Sequence, residues 1–236
     1  MTAISRRYGF EFFFQLTALV LAVIAVHAIY VTTIRPMAEQ IERQQAQQIE
    51  ADPNYVPERS LYVVVRDFEQ ETCFILLLWA LAIMGLKGWD GILERRMLDR
   101  QLIPPAEGVS ILPQDASTAV RTVCEAESDR LDSELALVRY IAWAIPSVGF
   151  IGTVRGIGAA LGEAHKAVEG DITGVTANLG VAFNSTFVAL LLSIVLMFVL
   201  YQLQQFQERL VLDTQNYCDE NLVSRLQVRP RQNAAA

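Results

Sequence analysis

The sequence predicts an all-α, polytopic membrane protein with four transmembrane helices, the last two of which extend into the cytoplasm. Hydrophobic residues make up 53% of the 236 residues and are gathered into blocks rather than spread along the chain. The blocks run from Phe12 to Ile34, Thr72 to Leu86, Tyr140 to Gly162 and Leu179 to Leu203. Most of them approach the roughly 20 apolar residues with which a helix crosses a bilayer.

The first block predicts an uncleaved span that follows a cytoplasmic N-terminus. Arg6 and Arg7 precede it, as expected for an end that stays inside. A signal peptide is the alternative, because Val26-His27-Ala28 resembles a cleavage site. The apolar run continues to Ile34, beyond the usual length of about 7–15 residues for a signal core, and this favours a span. We interpret His27 as an interhelical hydrogen-bonding residue rather than a proton relay.

The second block is the shortest, because only the residues between Glu71 and Lys87 are uncharged. On length alone it is also compatible with a buried soluble helix. A snorkelling Lys87 and an interfacial Trp89 favour a span.

The distribution of Lys and Arg predicts the orientation. Between the second and third blocks lie Lys87, Arg95, Arg96, Arg100, Arg121, Arg130 and Arg139, whereas only Lys166 lies between the third and fourth. Basic loops stay on the cytoplasmic side. The expected segments are 1–34 (N-terminus and first span), 35–71 (outer, periplasmic), 72–89 (second span), 90–139 (cytoplasmic), 140–162 (third span), 163–178 (outer), 179–203 (fourth span) and 204–236 (cytoplasmic).

The connections also contain helix signals. Pro113-Gln114-Asp115 is typical of a helix start, and apolar residues recur after it at helical spacing. The outer segment from Glu39 to Glu50 has the composition of a solvated helix and is expected to end at Asp52-Pro53.

Composition argues against several function classes. The net charge of −7 and the lack of a dense basic patch argue against nucleic-acid binding. Cys73, Cys124 and Cys218 have neither metal-ligand nor disulfide spacing. No phosphate loop, nucleophile elbow or zinc-binding helix is visible, so neither an enzyme nor a cofactor or metal site is expected.

Small and hydroxylated residues form a stripe on each of the last two spans. On the third they are Gly149, Thr153, Gly156 and Ala160, and on the fourth Ala182, Thr186, Ala189 and Ser193, with Asn184 and Ser185 beside them. Such stripes commonly serve only to hold helices together. A pore needs an independent reason.

Two segments supply that reason by resemblance. The run from Pro146 to Gly158, with a glycine-rich turn and Gly-Thr-Val, resembles a span signature of the MotA/TolQ/ExbB proton-channel family. The run from Ala182 to Leu190, Ala-Phe-Asn-Ser-Thr-Phe-Val-Ala-Leu, is similar to the family's next span. The segment from Leu93 through Pro113 resembles its charged, proline-punctuated connection.

The resemblance implies a proton-driven motor subunit. In this family five copies surround two copies of a single-span partner with an outer-facing domain, whose membrane aspartate carries the proton beside threonines of the pentamer. Carried over by position, the ion path comprises Thr153, Thr186, Ser185 and Asn184. The small residues expected to pack around the partner are Pro146, Gly149, Gly152, Gly156, Ala160, Ala182 and Ala189. The protein is then a multi-pass subunit of the bacterial inner membrane.

The chain departs from the family pattern at several positions. Val181 stands where a glutamate is common, which puts a proton route through that acid in doubt. Asn184 adds a neutral dipole, and the span from Phe12 to Ile34 is additional. Within the resembling spans the chain has no carboxylate of its own, as a two-component channel predicts.

Arg155 is the most costly residue in the third span, since an unpaired arginine near the bilayer centre costs at least about 2.5–3.5 kcal/mol. We interpret it as a member of a structural ion pair. Its candidate partners are Glu163, Asp171, Glu69 and Glu71.

Three functions remain open at this stage. The first is a proton channel that drives motion, or a sodium-driven version of it. The second is a non-conducting membrane scaffold, and the third is a secretory or sensor subunit with the same four-span outline.

Overall fold

The computed structural model describes residues 2–51, 60–99 and 113–219, and throughout these ranges it contains helices and no strand. The helices are α1 (Thr2–Ile29), α2 (Arg35–Ala51), α3 (Leu61–Val64), α4 (Phe68–Asp99), α5 (Pro113–Glu134), α6 (Ala136–Gly162), α7 (Ala164–Val168) and α8 (Thr173–Cys218). A π-helical turn, Tyr30–Ile34, joins α1 to α2. The stretches long and apolar enough to cross a membrane are Phe12–Ile49, Phe68–Leu93, Thr118–Gly162 and Thr173–Cys218. The predicted all-α fold with four membrane-crossing helices is confirmed.

Helix boundaries follow local chemistry. Helix α5 begins at Pro113, where proline costs no intrahelical hydrogen bond. Helix α8 begins after Gly170, whose φ of 100° suits glycine. The Asp171 carboxylate then accepts a hydrogen bond from the Thr173 N–H at 3.0 Å, and bonds from Thr173 lower the pKa of Asp171. The predicted stop at Asp52-Pro53 lies outside the described residues.

One compact unit comprises the described residues up to 83 and residues 138–198. Within it, α1 and α4 run antiparallel, with the Trp79 indole N–H donating to the Gln15 carbonyl at 2.9 Å. The buried residues of α1 are Ala18, Ala22 and Val26, and Tyr30 of the π-helical turn continues this stripe at four-residue intervals. Most of the other apolar side chains of α1 are exposed, as suits a helix with an apolar environment on several sides.

Pro146 lies inside α6, where its ring leaves the carbonyl of Ala142 without the usual helical donor. The hydroxyl of Ser193 on α8 donates to that carbonyl at 3.1 Å. Neighbouring serines commonly satisfy backbone groups freed by proline in membrane helices. The Ser193 end of the small-residue stripe therefore binds α8 to the proline turn of α6.

The second compact unit comprises residues 84–137 and 199 onward, as far as they are described. The Lys87 ammonium contacts the Glu134 carboxylate at 2.8 Å, with both side chains largely buried. Lys87 thus has a carboxylate partner within this unit, and its snorkelling stays a prediction. The Phe206 ring packs over Gly91, where an added Cβ would lie 3.1 Å from a ring carbon.

Candidate ion path

Helices α6 and α8 pack antiparallel through their small residues. A Cβ atom added to any of three glycines of α6 would come within 2.5–2.7 Å of α8, with Gly149 facing Ala189, Gly152 facing Ser185 and Gly156 facing Ala182. Such distances do not occur between real Cβ atoms, so the glycines are required for this approach. Small residues at close backbone contacts are the usual means of helix association in lipid.

The small residues expected to pack around a partner are thus already used inside one chain. Gly149, Gly152, Gly156, Ala160, Ala182 and Ala189 are buried, and Pro146 is half-buried. Their role toward a partner stays a prediction. The side chains that a neighbouring protein can reach on α8 include Phe183 and Phe187, both of which are largely exposed.

We expect Gly156→Ala to lower the free energy of unfolding by about 1–3 kcal/mol, as overpacking does elsewhere. The new methyl group would meet the backbone N of Ala182 at 2.8 Å, and a backbone atom cannot rotate away. Gly158→Ala is the matched control, because nothing lies within 4 Å of its Cβ position. Thermal unfolding in detergent measures both variants, and equal midpoints would refute the close α6–α8 contact.

Two threonine hydroxyls meet in this seam. Thr153 Oγ1 is hydrogen-bonded to Thr186 Oγ1, and both residues are half-buried. The Thr153 hydroxyl also lies 3.2 Å from the carbonyl oxygen of Ala182, and that of Thr186 lies 3.3 Å from the carbonyl oxygen of Gly149. The structure thus brings together two of the four residues predicted to line the ion path.

The other two predicted path residues differ from each other. Ser185 is buried, and its hydroxyl donates to the carbonyl of Val181 at 2.9 Å. Asn184 is half-buried and lies two residues before Thr186, about 200° around α8. The structure therefore does not bring Asn184 to the threonine pair.

Three consecutive polar residues at the start of α4 form the most buried polar cluster of this unit: Glu69, Gln70 and Glu71, which we call the α4 triplet. Their exposed fractions are 4%, 0% and 3%. Successive helical residues point about 100° apart, so each side chain reaches a different part of the unit. The α4 triplet thereby connects α4 to the other membrane helices of the unit.

Glu69 binds Arg155 of α6. The Glu69 carboxylate accepts from Arg155 Nε at 2.5 Å and from Nη2 at 2.8 Å, a bidentate geometry. The Glu69 side chain is 5% exposed and the Arg155 side chain is 52% exposed. Asp67 lies 4.0 Å from the same guanidinium, and burial raises the pKa of Asp67 above its ordinary value. Of the four candidate acids for Arg155, the structure pairs it with Glu69.

Glu71 binds the first membrane helix. One carboxylate oxygen lies 2.6 Å from His27 Nδ1, and the other accepts from Arg35 Nη2 at 2.6 Å. The histidine therefore forms a hydrogen bond between helices, with Glu71 as its partner. The π-helical turn Tyr30–Ile34 lies between His27 and Arg35 in sequence. Arg66 also contacts Glu42 of α2.

Gln70 reaches the fourth membrane helix. Its amide Nε2 lies 3.4 Å from Ser185 Oγ and donates to the carbonyl of Val64 at 3.1 Å. Gln70 thereby contacts the residue that precedes Thr186 in the sequence of α8.

In the sequence the α4 triplet marks only the charged boundary of an apolar block, and no local pattern indicates its burial between the membrane helices. The signal that pointed to it was the cost of a membrane arginine, because Arg155 needs a carboxylate. Gln70 had no such signal. Within the described part of the chain, no group of three or more His, Cys, Asp or Glu side chains is placed to hold a metal ion.

A comparison with known protein families matches the part of the chain in which the two seam-forming helices, α6 and α8, lie. The family model described as the MotA/TolQ/ExbB proton channel family matches residues 93–216, more than half of the 236 residues. The curated proteins gave no match, and neither did the solved structures. The matched range contains α5, α6, α7 and all but the last residues of α8, including the threonine pair, whereas α1 and the α4 triplet precede it. The chain is therefore a multi-pass membrane subunit that belongs to the MotA/TolQ/ExbB proton channel family.

Proposed function

We propose that this chain forms the ring of a proton channel in the bacterial inner membrane and couples inward proton flow to motion. Five copies surround two copies of a single-span partner, which carries a membrane aspartate and an outer-facing domain. Both termini of the ring subunit are cytoplasmic. Protonation of the partner aspartate lowers the cost of moving it past an apolar wall and permits steps between equivalent sites of the ring.

The observation that carries this proposal is the threonine pair. Thr153 and Thr186 place two half-buried hydroxyls in a seam that is otherwise formed by small residues. A hydroxyl donates to a carboxylate and accepts from a carboxylic acid, so it can serve both protonation states of a passing aspartate.

The charges of the chain support a two-component channel. Residues 140–162 and 179–203 contain no carboxylate. Glu69 and Glu71, at the start of α4, are each bound to an arginine. A protonatable group that alternates between charged and neutral states is therefore best supplied by a partner.

One observation favours a non-conducting scaffold instead. Both threonine hydroxyls have acceptors inside the chain, as expected of side chains that only hold helices together. Proton flux separates the two functions, since a scaffold has none to lose.

The test first identifies the single-span protein that copurifies with the chain. The two proteins are then co-expressed, and their complex is reconstituted in liposomes containing a pH-sensitive dye. We expect a five-to-two stoichiometry by native mass spectrometry and acidification of the liposome interior after an external acid step. Replacing sodium with choline in the same assay distinguishes a proton path from a sodium path. An intact complex that conducts neither ion would contradict the proposal.

The proposed orientation gives a labelling prediction. In a variant lacking Cys73, Cys124 and Cys218, we introduce Val168→Cys in α7 or Ala126→Cys in α5, both at exposed positions. An impermeant maleimide should label residue 168 in intact spheroplasts and residue 126 only after permeabilisation, because the basic connection stays inside. The reverse pattern would invert the orientation.

A further inference from the structure

Gln70 differs from its neighbours in the α4 triplet. Glu69 and Glu71 are bound to arginines, whereas Gln70 is neutral and entirely buried. Its Nε2 lies within hydrogen-bonding distance of Ser185 Oγ and Val64 O, but its Oε1 has no partner among the described residues and no exposed surface. A buried amide oxygen without a donor is rare in folded proteins, and a buried water commonly donates to such an atom.

The surroundings of Gln70 are polar and lie next to the proposed ion path. An added Cβ on Gly152 would lie 2.7 Å from Ser185 Oγ and 3.1 Å from Glu69 Cγ, so the side chains of α4 and α8 meet at this glycine. Thr153, the next residue, is hydrogen-bonded to Thr186. The contact of Gln70 with Ser185 thus reaches the residue that precedes Thr186 on α8.

We infer that Gln70 is a positioning residue of the ion path, and that its buried Oε1 binds a water molecule that passes protons toward Ser185 and the threonine pair. This inference rests on the proposed channel function and adds a contribution from Gln70 of α4, which precedes the range matched by the family model. An amide suits the task because it offers both donor and acceptor atoms without a charge. The adjacent carboxylates are held by arginines, so they do not compete for the transported proton as free acids.

A purely structural Gln70 predicts a different outcome. Its amide would then act only by holding α4 to α8 and to the carbonyl of Val64, and its removal would reduce thermal stability in step with flux. A relay predicts that flux falls while assembly and the unfolding midpoint are kept. Replacing Gln70 by leucine removes the unpartnered oxygen, which favours retention of the fold.

The experiment compares Gln70→Leu with Gln70→Glu in the reconstituted complex, using protons as the transported ion and the same dye readout. We expect Gln70→Leu to assemble with an unchanged or higher unfolding midpoint and to lose at least about tenfold in flux. We expect Gln70→Glu to lose flux as well, because it removes the Nε2 donor and introduces a free acid that competes for the transported proton. Thr72→Val is the control on the same helix, because the Thr72 hydroxyl donates only to its own helix at Phe68.

The outcomes separate the role of Gln70 in the ion path from a structural role and from the channel function itself. If the wild-type complex conducts and the Gln70→Leu complex conducts equally well, the role of Gln70 is overturned and the channel proposal stays intact. If the wild-type complex shows no flux, both are overturned. A fall in flux matched by a fall in the unfolding midpoint assigns Gln70 to the structural role. If Gln70→Leu does not assemble, Ser185→Ala removes the hydroxyl next to the amide, and a wild-type rate in that assembled variant overturns the relay.

Discussion

Thr186→Val should leave the complex assembled and abolish proton flux. Valine keeps nearly the shape of threonine and removes the hydroxyl that contacts Thr153 and the carbonyl of Gly149. The helix packing loses about 0.6 kcal/mol, the typical value for one interhelical hydrogen bond in a membrane protein. That loss is too small to disperse a ring, so a large fall in flux has to come from the path itself.

Thr176→Val is the matched control for this variant. Thr176 is on the same helix, is exposed, and donates only to the carbonyls of Ile172 and Thr173. We expect Thr176→Val to conduct at the wild-type rate. Thr153→Val should reduce flux less than Thr186→Val does, since one hydroxyl of the pair remains on α8.

The measurement is the rate of dye response per assembled complex, with assembly checked by native mass spectrometry. An assembled Thr186→Val complex that conducts at the wild-type rate removes Thr186 from the path and favours the scaffold. The scaffold is also favoured if the Thr186→Val complex does not assemble and the wild-type complex shows no flux, because the hydroxyl would then serve only to hold helices together.

Periodicity predicts the helix faces of this protein but not their neighbours. The stripe of Gly149, Thr153 and Gly156 was visible in the sequence because helical spacing places those residues on one side. Whether that side contacts the same chain or another copy depends on the tertiary fold, and here it contacts α8. The resemblance to known channels suggested an external partner, and the intramolecular contact explains the glycines without one.

Charges near the ends of apolar blocks are harder to interpret. Glu69 and Glu71 precede an apolar run, and a hydropathy profile places the end of the span at such residues. Their burial depends on Arg155 and Arg35, which are 86 and 36 residues away in sequence. Local patterns carry no information about such distant pairs. The π-helical turn Tyr30–Ile34 likewise has no composition signal that distinguishes it from the helices on either side.

The ion pair between Arg155 and Glu69 should be the most stabilising single polar link between α4 and α6. Arg155→Met leaves the buried Glu69 carboxylate without its bidentate partner. Removing one member of a fully buried pair costs about 3–5 kcal/mol. Because the Arg155 side chain is 52% exposed, we expect a smaller loss of about 2–3 kcal/mol in the free energy of unfolding.

Substitutions of the two partners, Arg155 and Glu69, should lower the free energy of unfolding by different amounts. Glu69→Gln leaves Arg155 4.0 Å from Asp67, so the remaining charge keeps an acid nearby. We therefore expect Glu69→Gln to cost less than Arg155→Met. Arg155→Lys should be intermediate, because an ammonium keeps the charge but cannot reproduce the bidentate geometry.

A double-mutant cycle in detergent measures this link directly. The combined variant Arg155→Met with Glu69→Gln should be more stable than Arg155→Met alone, because it no longer buries an unpaired carboxylate, and the coupling energy should exceed the error of the single measurements. Additive losses would show that the two side chains stabilise the protein independently. A single Arg155→Met variant as stable as the wild type would mean that Glu69 is neutral or solvated in the membrane, and the α4 triplet would then lose its role as the polar centre of the four membrane helices.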